Sequence, residues 1–177
     1  MMSDERRSYK LVAMKQLLVQ YATYNSWANK KICGAIALLS AEQQHQTIIS
    51  SFDSIFKTLL HLTDAESMWW QRLKLVEQVE RPSASFTGDT NELIHQFLSG
   101  SDQWGQWVKN ANEVTLTHVF AYQNTKKELF KQPVNEVLIH LFNHQSYHRG
   151  QLVTMLRQVG VDKIPSTDFI AFSRAKR

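Results

Sequence analysis

The spacing of apolar residues between Phe52 and Val79 constrains the fold more than any other feature. Ile55, Leu59, Leu62, Trp69, Leu73 and Val76 recur at three- and four-residue steps. Such a series lines one side of an α-helix and does not alternate as a strand does. Proline and glycine, which interrupt helices, number only three and six among 177 residues. A chain with this pattern is expected to build its core from long helices.

Four such helices are expected. The first covers residues 9–38 and carries Leu11, Leu17, Leu18, Tyr21, Tyr24, Trp27 and Ile32. A polar stretch from Ser40 to Thr47 follows. The second covers residues 52–79 and ends before the loop Arg81-Pro82-SASFTGD. The third covers 90–110, with Asp89 or Thr90 as its cap and Leu93, Phe97, Trp104 and Trp107 as apolar positions. The fourth covers 133–159. Pro133 suits its first turn and Gly160 its stop. Between the last two, VTLTHVFAY, polar QNTK and KELF read as a short hairpin. The tail from Val161 is expected to be extended and packed through Ile164, Phe169, Ile170 and Phe172. The expected fold is all-α, a four-helix bundle with a short hairpin before the last long helix, in one domain over residues 1–177.

Charge excludes some partners. The net charge is +4, and much of the excess sits at the ends: Arg6, Arg7 and Lys10, then Arg174, Lys176 and Arg177. These read as solvated termini. No basic stripe marks a nucleic-acid partner. The N-terminal MMSDERRSYK lacks an apolar signal core, and no run of about 18 apolar residues could span a membrane. The single cysteine, Cys33, allows no intrachain disulfide and fits a reducing compartment. A cytoplasmic protein with no membrane association is expected.

The fourth helix carries the chemistry. In HLFNHQSYHRGQL, His140, His144 and His148 are spaced four apart. At about 100° per residue, His148 points nearly at the middle of the apolar stripe, His144 lies close behind, and His140 falls on its flank. Buried imidazoles need polar partners, and a shared cation gives two of them one. His144 and His148 are therefore the better ligand pair, and His140 reads as a supporting or structural residue. A transition-metal centre needs a further ligand. His61, His45, His95 and His118 remain open. His61 is the strongest of these, although its position on its own helix is marginal, and spacing does not decide among them. A di-iron or di-manganese centre requires two Glu-x-x-His motifs and two more glutamates; no Glu-x-x-His is read here, and that centre is set aside.

Three stretches together resemble the DinB family of helical metalloproteins. They are Tyr24-Asn25-Ser26-Trp27, LLHLTDAESMWWQR from Leu59, and the HLFNHQSYHRGQL segment, whose NHxxxHRGQ pattern is the most specific part. The resemblance spans nearly the whole chain. It implies a four-helix bundle holding a divalent metal, nickel or zinc, with one histidine from the second helix and two from the fourth. Carried onto this chain, the implied ligands are His61, His144 and His148. It also implies pairing into homodimers, and a kinship with transferases and isomerases that use low-molecular-weight thiols.

Three neutral imidazoles would leave a divalent ion's charge uncompensated and a coordination position open. Such an ion activates bound water or a bound thiol. The expectation is a metal-dependent enzyme, hydrolase or thiol-dependent transferase, acting on a small molecule. The alternative is a non-catalytic, metal-stabilised bundle serving as a binding or stress-response module. No residue is assigned as catalytic. Asp64 could orient a ligand or sit at the solvated surface. Glu66 could act as acid or base, or pair with a cation such as Arg149. Asn143 and Arg149 read as interhelix hydrogen-bonding residues, and Gly150 as a point of close helix approach. Trp27, Trp69, Trp70, Trp104 and Trp107 are mostly expected in the core, and a buried Cys33 is expected to be inert.

Overall fold

The structure is a computed structural model that describes residues 4–175, with side chains from Leu11 onward. The side chains of Arg6, Arg7 and Lys10, and all of Lys176 and Arg177, lie outside the described residues. Seven helices and one hairpin follow in order: α1 (Asp4–Ile36), α2 (Ala41–His45), α3 (Ile55–Leu73), a 3-10 turn (Pro82–Ala84), α4 (Thr90–Asn110), α5 (Glu113–Thr117), β1 (Val119–Gln123), β2 (Leu129–Pro133), α6 (Val134–Gln158) and α7 (Phe169–Arg174).

Side chains fix the helix starts. Ser54 accepts a hydrogen bond from the Lys57 amide and opens α3. Asp89 and Glu92 form a reciprocal capping box at α4. Ser40 and Gln43 do the same for α2, which turns part of the expected polar connection into a helix. The ends of α3 and α6 share one geometry. Each closes with a bond from the second residue past the cap back into the last turn, Val76 to Gln71 and Val161 to Leu156. Gly160 takes the left-handed position of that motif in α6, at φ +90°. Leu75 takes it in α3, at φ +55°. The left-handed residue stops α3 well short of the expected Val79.

The four long helices pack in a circuit: α1 against α4 and α6, and α3 against the same two. Their apolar faces form two clusters. One gathers Ile32, Ile36, Leu59, Leu93, Phe97, Leu152 and Leu156. The other gathers Leu18, Ala22, Trp104, Val108, Leu138, Leu141 and Phe142. On every one of the four helices a polar residue separates the two: Asn25 and Asn29 on α1, Glu66 on α3, Ser101 on α4, Gln145 and Arg149 on α6. All six are buried. A polar layer therefore crosses the middle of the core.

The hairpin amends the all-α expectation. β1 and β2 pair antiparallel from Val119↔Pro133 to Gln123↔Leu129. The strand begins later than its β-branched sequence suggested, because Asn112 caps residues 113–117 into a helical turn through the Thr115 amide. The tail also differs from expectation. It ends in α7, with Phe172 buried against Tyr24 and Trp27, while Phe169 and Ile170 are exposed. Among the described residues no helix is long and apolar enough to cross a membrane.

Candidate metal centre

α3 and α6 run side by side and bring three imidazoles together. His61 Nε2 lies 3.0 Å from His144 Nε2, which lies 3.2 Å from His148 Nε2. Ligand atoms from all three residues lie within 4.8 Å of one another. The helix periodicity explains the pair on α6, since residues four apart share a face. Burial follows the expected order along that helix: His148 buried, His144 half-buried, His140 exposed.

Proton bookkeeping shows what the cluster can do. A neutral imidazole carries one ring proton. His148 Nδ1 lies 2.7 Å from Gln151 Oε1, an acceptor, so the proton belongs there and Nε2 keeps its lone pair. Gln151 is itself oriented, because its amide nitrogen donates to Ser51 Oγ and Tyr147 Oη. Three converging nitrogens cannot satisfy one another with single protons, whereas one cation satisfies all of them. The spacing also fits. Nitrogens about 2.0–2.1 Å from a common ion stand about 2.9 Å apart at right angles and about 3.3 Å apart in a tetrahedron. The three histidines could hold a metal ion.

All three rings favour the neutral form. Burial, then the charge that His148 would carry, pushes His61 down to about 4, helped by Arg81 and opposed by Asp64. Burial and the neighbouring histidines push His144 down to about 4. Burial lowers His148 as well, opposed by its bond to Gln151. Phe52 supplies part of that burial, stacked on His61 with centroids 4.2 Å apart. His144 Nδ1 is buried without a hydrogen-bond partner.

The other candidates fall elsewhere. His45, His95 and His118 are exposed and outside the cluster. Two Glu-x-x-His spacings do occur, Glu42–His45 and Glu92–His95, but all four residues are exposed and none belongs to the cluster. His140 packs its ring 5.5 Å from Trp69 and 6.0 Å from His144, on the flank of the site. Asp64 neither reaches the imidazoles nor stands free in solvent. It accepts hydrogen bonds from the Ser83 amide and hydroxyl at 2.9 and 2.6 Å and ties the 3-10 turn to α3.

Glu66 is buried in the polar layer. Its Oε1 accepts from Ser101 Oγ at 2.7 Å and from Gln145 Nε2, and burial raises its pKa to about 8. It does not pair directly with Arg149. That guanidinium donates instead to Asn25, Asn29 and Ser146, which bears out its reading as an interhelix hydrogen-bonding residue. Asn143 accepts from Tyr21 Oη across to α1. Gly150 is not a close-approach glycine, because it is exposed and a Cβ there would meet nothing within 4 Å. Of the tryptophans only Trp104 is fully buried; the other four are half-buried. Burial pushes the Cys33 thiol up to about 12, which disfavours the reactive thiolate.

Sequence reasoning missed Gln151, Phe52 and the partners of the polar layer. Asn25 and Asn29 carried a readable signal, being two amides four apart between Ala22 and Ile32 on an apolar stripe.

A mostly helical chain with a three-histidine candidate metal site defines a class, and sequence comparison gives it a name. The chain matches the model of the DinB family over residues 13–176, and it belongs to that family. It is 31% identical to Protein DinB of Bacillus subtilis (strain 168) over 155 residues, covering 82% of this chain and 87% of that protein. The crystal structure of a DinB-like protein from Bacillus cereus ATCC 10987 has a similar fold. The TM-score is 0.64 at 18% identity, over 84% of this chain and 94% of that one.

Proposed function

We propose that His61, His144 and His148 hold a divalent ion, nickel or zinc, at the centre of a four-helix bundle, and that the protein is a metal-dependent enzyme acting on a small molecule. The convergence of the three Nε2 atoms carries this reading. When bound, such an ion supplies Lewis acidity that lowers the pKa of a water or a low-molecular-weight thiol at its open position.

The protein's own residues fit that role. Closed structural zinc sites take four protein ligands, whereas catalytic ones keep a position free. Here the cluster holds three side chains and no carboxylate or cysteine among the described residues. His61 and His144 are partly open to solvent, so a small molecule can approach. Gln151 fixes the tautomer of His148, and Phe52 keeps water from one face of His61. The low pKa values keep the ring nitrogens ready to bind near neutral pH.

The test is metal content by mass spectrometry of untagged protein purified without added metal, beside His61→Ala and His148→Ala. The expected result is about one divalent ion per chain, lost in both variants. A cobalt-substituted sample should then change its visible spectrum on titration with a small thiol. Wild-type protein that takes up neither nickel nor zinc would sink the reading. A metal whose spectrum no thiol or anion perturbs would leave a metal-stabilised binding module instead.

A further inference from the structure

A cavity of about 810 Å³ lies between the segment after α3 and the β-hairpin. Arg72, Arg81 and Lys127 line it, against one acid, Glu77. Among the described residues the ion pairs are Lys30–Asp102 and Lys57–Asp53, so none of the three cations has an acidic partner.

Arg72 is built in with unusual care. Its guanidinium carbon sits 4.7 Å from the centre of the Trp69 ring and 5.6 Å from that of Tyr122. Its Nε is buried and has no hydrogen-bond partner. Aromatic faces hold a guanidinium in place, and the two terminal nitrogens of Arg72, which make no hydrogen bond among the described residues, offer the two-point bond that carboxylate and phosphate oxygens accept. Partial burial lowers its pKa, a cost that a bound anion would relieve.

Backbone strain points to the same place. Among the described residues, two non-glycine positions have positive φ, Leu75 at 55° and Lys127 at 63°. Both line this cavity. Each sits where glycine is the usual solution, one ending α3 and the other closing the hairpin turn. Keeping a side chain there is unfavourable, and such outliers concentrate at binding sites.

No histidine lines the cavity, but two of its lining residues lead towards them. Arg81 lines it and its charge is felt at His61. On the other wall, Arg72 stacks on Trp69, Trp69 meets His140 at 5.5 Å, and His140 lies 6.0 Å from His144. Leu75 and Leu129 give the cavity an exposed apolar rim.

We propose that this cavity binds the acidic group of a small organic molecule, with carboxylate or phosphate oxygens on the Arg72 guanidinium and Arg81 and Lys127 as supporting charges. The rest of the molecule extends towards the three histidines. The extension rests on the metal-centre reading; the anion site does not.

The test uses the full chain, stripped with chelator, in the His144→Ala background and in wild type, at constant 150 mM ionic strength, where surface charges are largely screened. Phenyl phosphate, phenylacetate and neutral 2-phenylethanol are titrated while the arginine Nε–Hε resonances are followed by NMR. The expected result is saturable binding of at least one acid and not of the alcohol, with the Arg72 signal moving. Which acid binds separates phosphate from carboxylate. Arg72→Gln should weaken binding roughly tenfold or more, as loss of a charged hydrogen bond does. Arg81→Gln and Lys127→Gln, at exposed positions, should each weaken it roughly two- to fivefold with the fold intact. Equal binding of the alcohol, a stationary Arg72 signal, or affinity unchanged in all three variants would overturn the proposal. Acid binding that persists in metal-free protein upholds the cavity even if no metal is ever found. A loaded metal with no acid binding upholds the metal centre alone.

Discussion

Glu66 and Arg149 are buried in one core and do not touch. Gln145 stands between them: it donates to Glu66 Oε1 and accepts from Asn25 and Asn29, whose carbonyl oxygens take the Arg149 hydrogens. The carboxyl group and the guanidinium are linked through amides of α1 and α6. Two residues of the chain Gln145–Arg149 flank His144 and His148 directly, so the layer that locks α6 also sets the depth and rotation of two candidate ligands.

Replacing Glu66 with Gln should change how stability depends on pH. Burial raises the Glu66 pKa from 4.5 to about 8. A folded value above the unfolded one gives stability that is present at low pH and lost as pH rises through the folded value. The histidines act oppositely. Their folded values lie below 6.5, so their contribution is present above that value and lost as pH falls towards 4. In metal-free protein the two slopes partly cancel. Glu66→Gln should match wild type near pH 4 and exceed it by about 4 kcal/mol near pH 8. Urea unfolding across that range checks this, and parallel curves would refute it.

Arg149→Met should be far more damaging. It leaves two buried asparagine carbonyl oxygens without their donor and Glu66 without a nearby positive charge. Breaking such a buried arrangement costs about 3–5 kcal/mol. Above pH 8, where Glu66 is ionised, combining it with Glu66→Gln should recover part of the loss, because the remaining buried charge is then gone. A double-mutant cycle in urea measures the coupling, and strict additivity would show that the two residues are independent.

The long helices were legible because each buries one face, and periodicity reports a face directly. The inner pair His144 and His148 was legible for the same reason. Helix ends were less so. The stop of α3 depends on Leu75 adopting a conformation that its residue type disfavours, so no composition signal marked it. α7 was read as extended because six residues give too little period to see. The third histidine needed tertiary information, since His61 meets the others across α3 and α6, and helix-wheel position within α3 says nothing about which face of α6 lies opposite. Glu66 was visible as a carboxylate near an apolar stripe, but the amides that intervene before Arg149 come from α1 and α6, far apart in sequence.

Gly100→Ala should destabilise, against helix propensity. Alanine normally gains about 1 kcal/mol over glycine within a helix. Here an added Cβ would stand 2.8 Å from Glu66 Oε2. That carboxylate cannot simply swing aside, because its other oxygen holds Ser101 and Gln145. The expected net loss is about 1–2 kcal/mol, typical of overpacking. A raised thermal midpoint would show that Glu66 has room to move.

Gln151→Leu and His140→Ala should separate support of the proposed metal centre from mere proximity to it. Gln151 accepts the Nδ1 proton of His148 and so holds the lone pair of Nε2 towards the other two rings. Losing such a partner typically weakens metal binding about 10- to 100-fold. His140 packs on Trp69 and makes no such bond, although it stands four residues from His144 on the same helix. Its removal should leave metal affinity within about threefold of wild type, well inside the change expected at Gln151. Competition with a zinc chelator at pH 7.5 measures both variants. At that pH the His61 and His144 rings are already neutral, so protons compete little for the site. Equal weakening in both variants would mean that general disturbance of α6, and not the tautomer of His148, controls the centre.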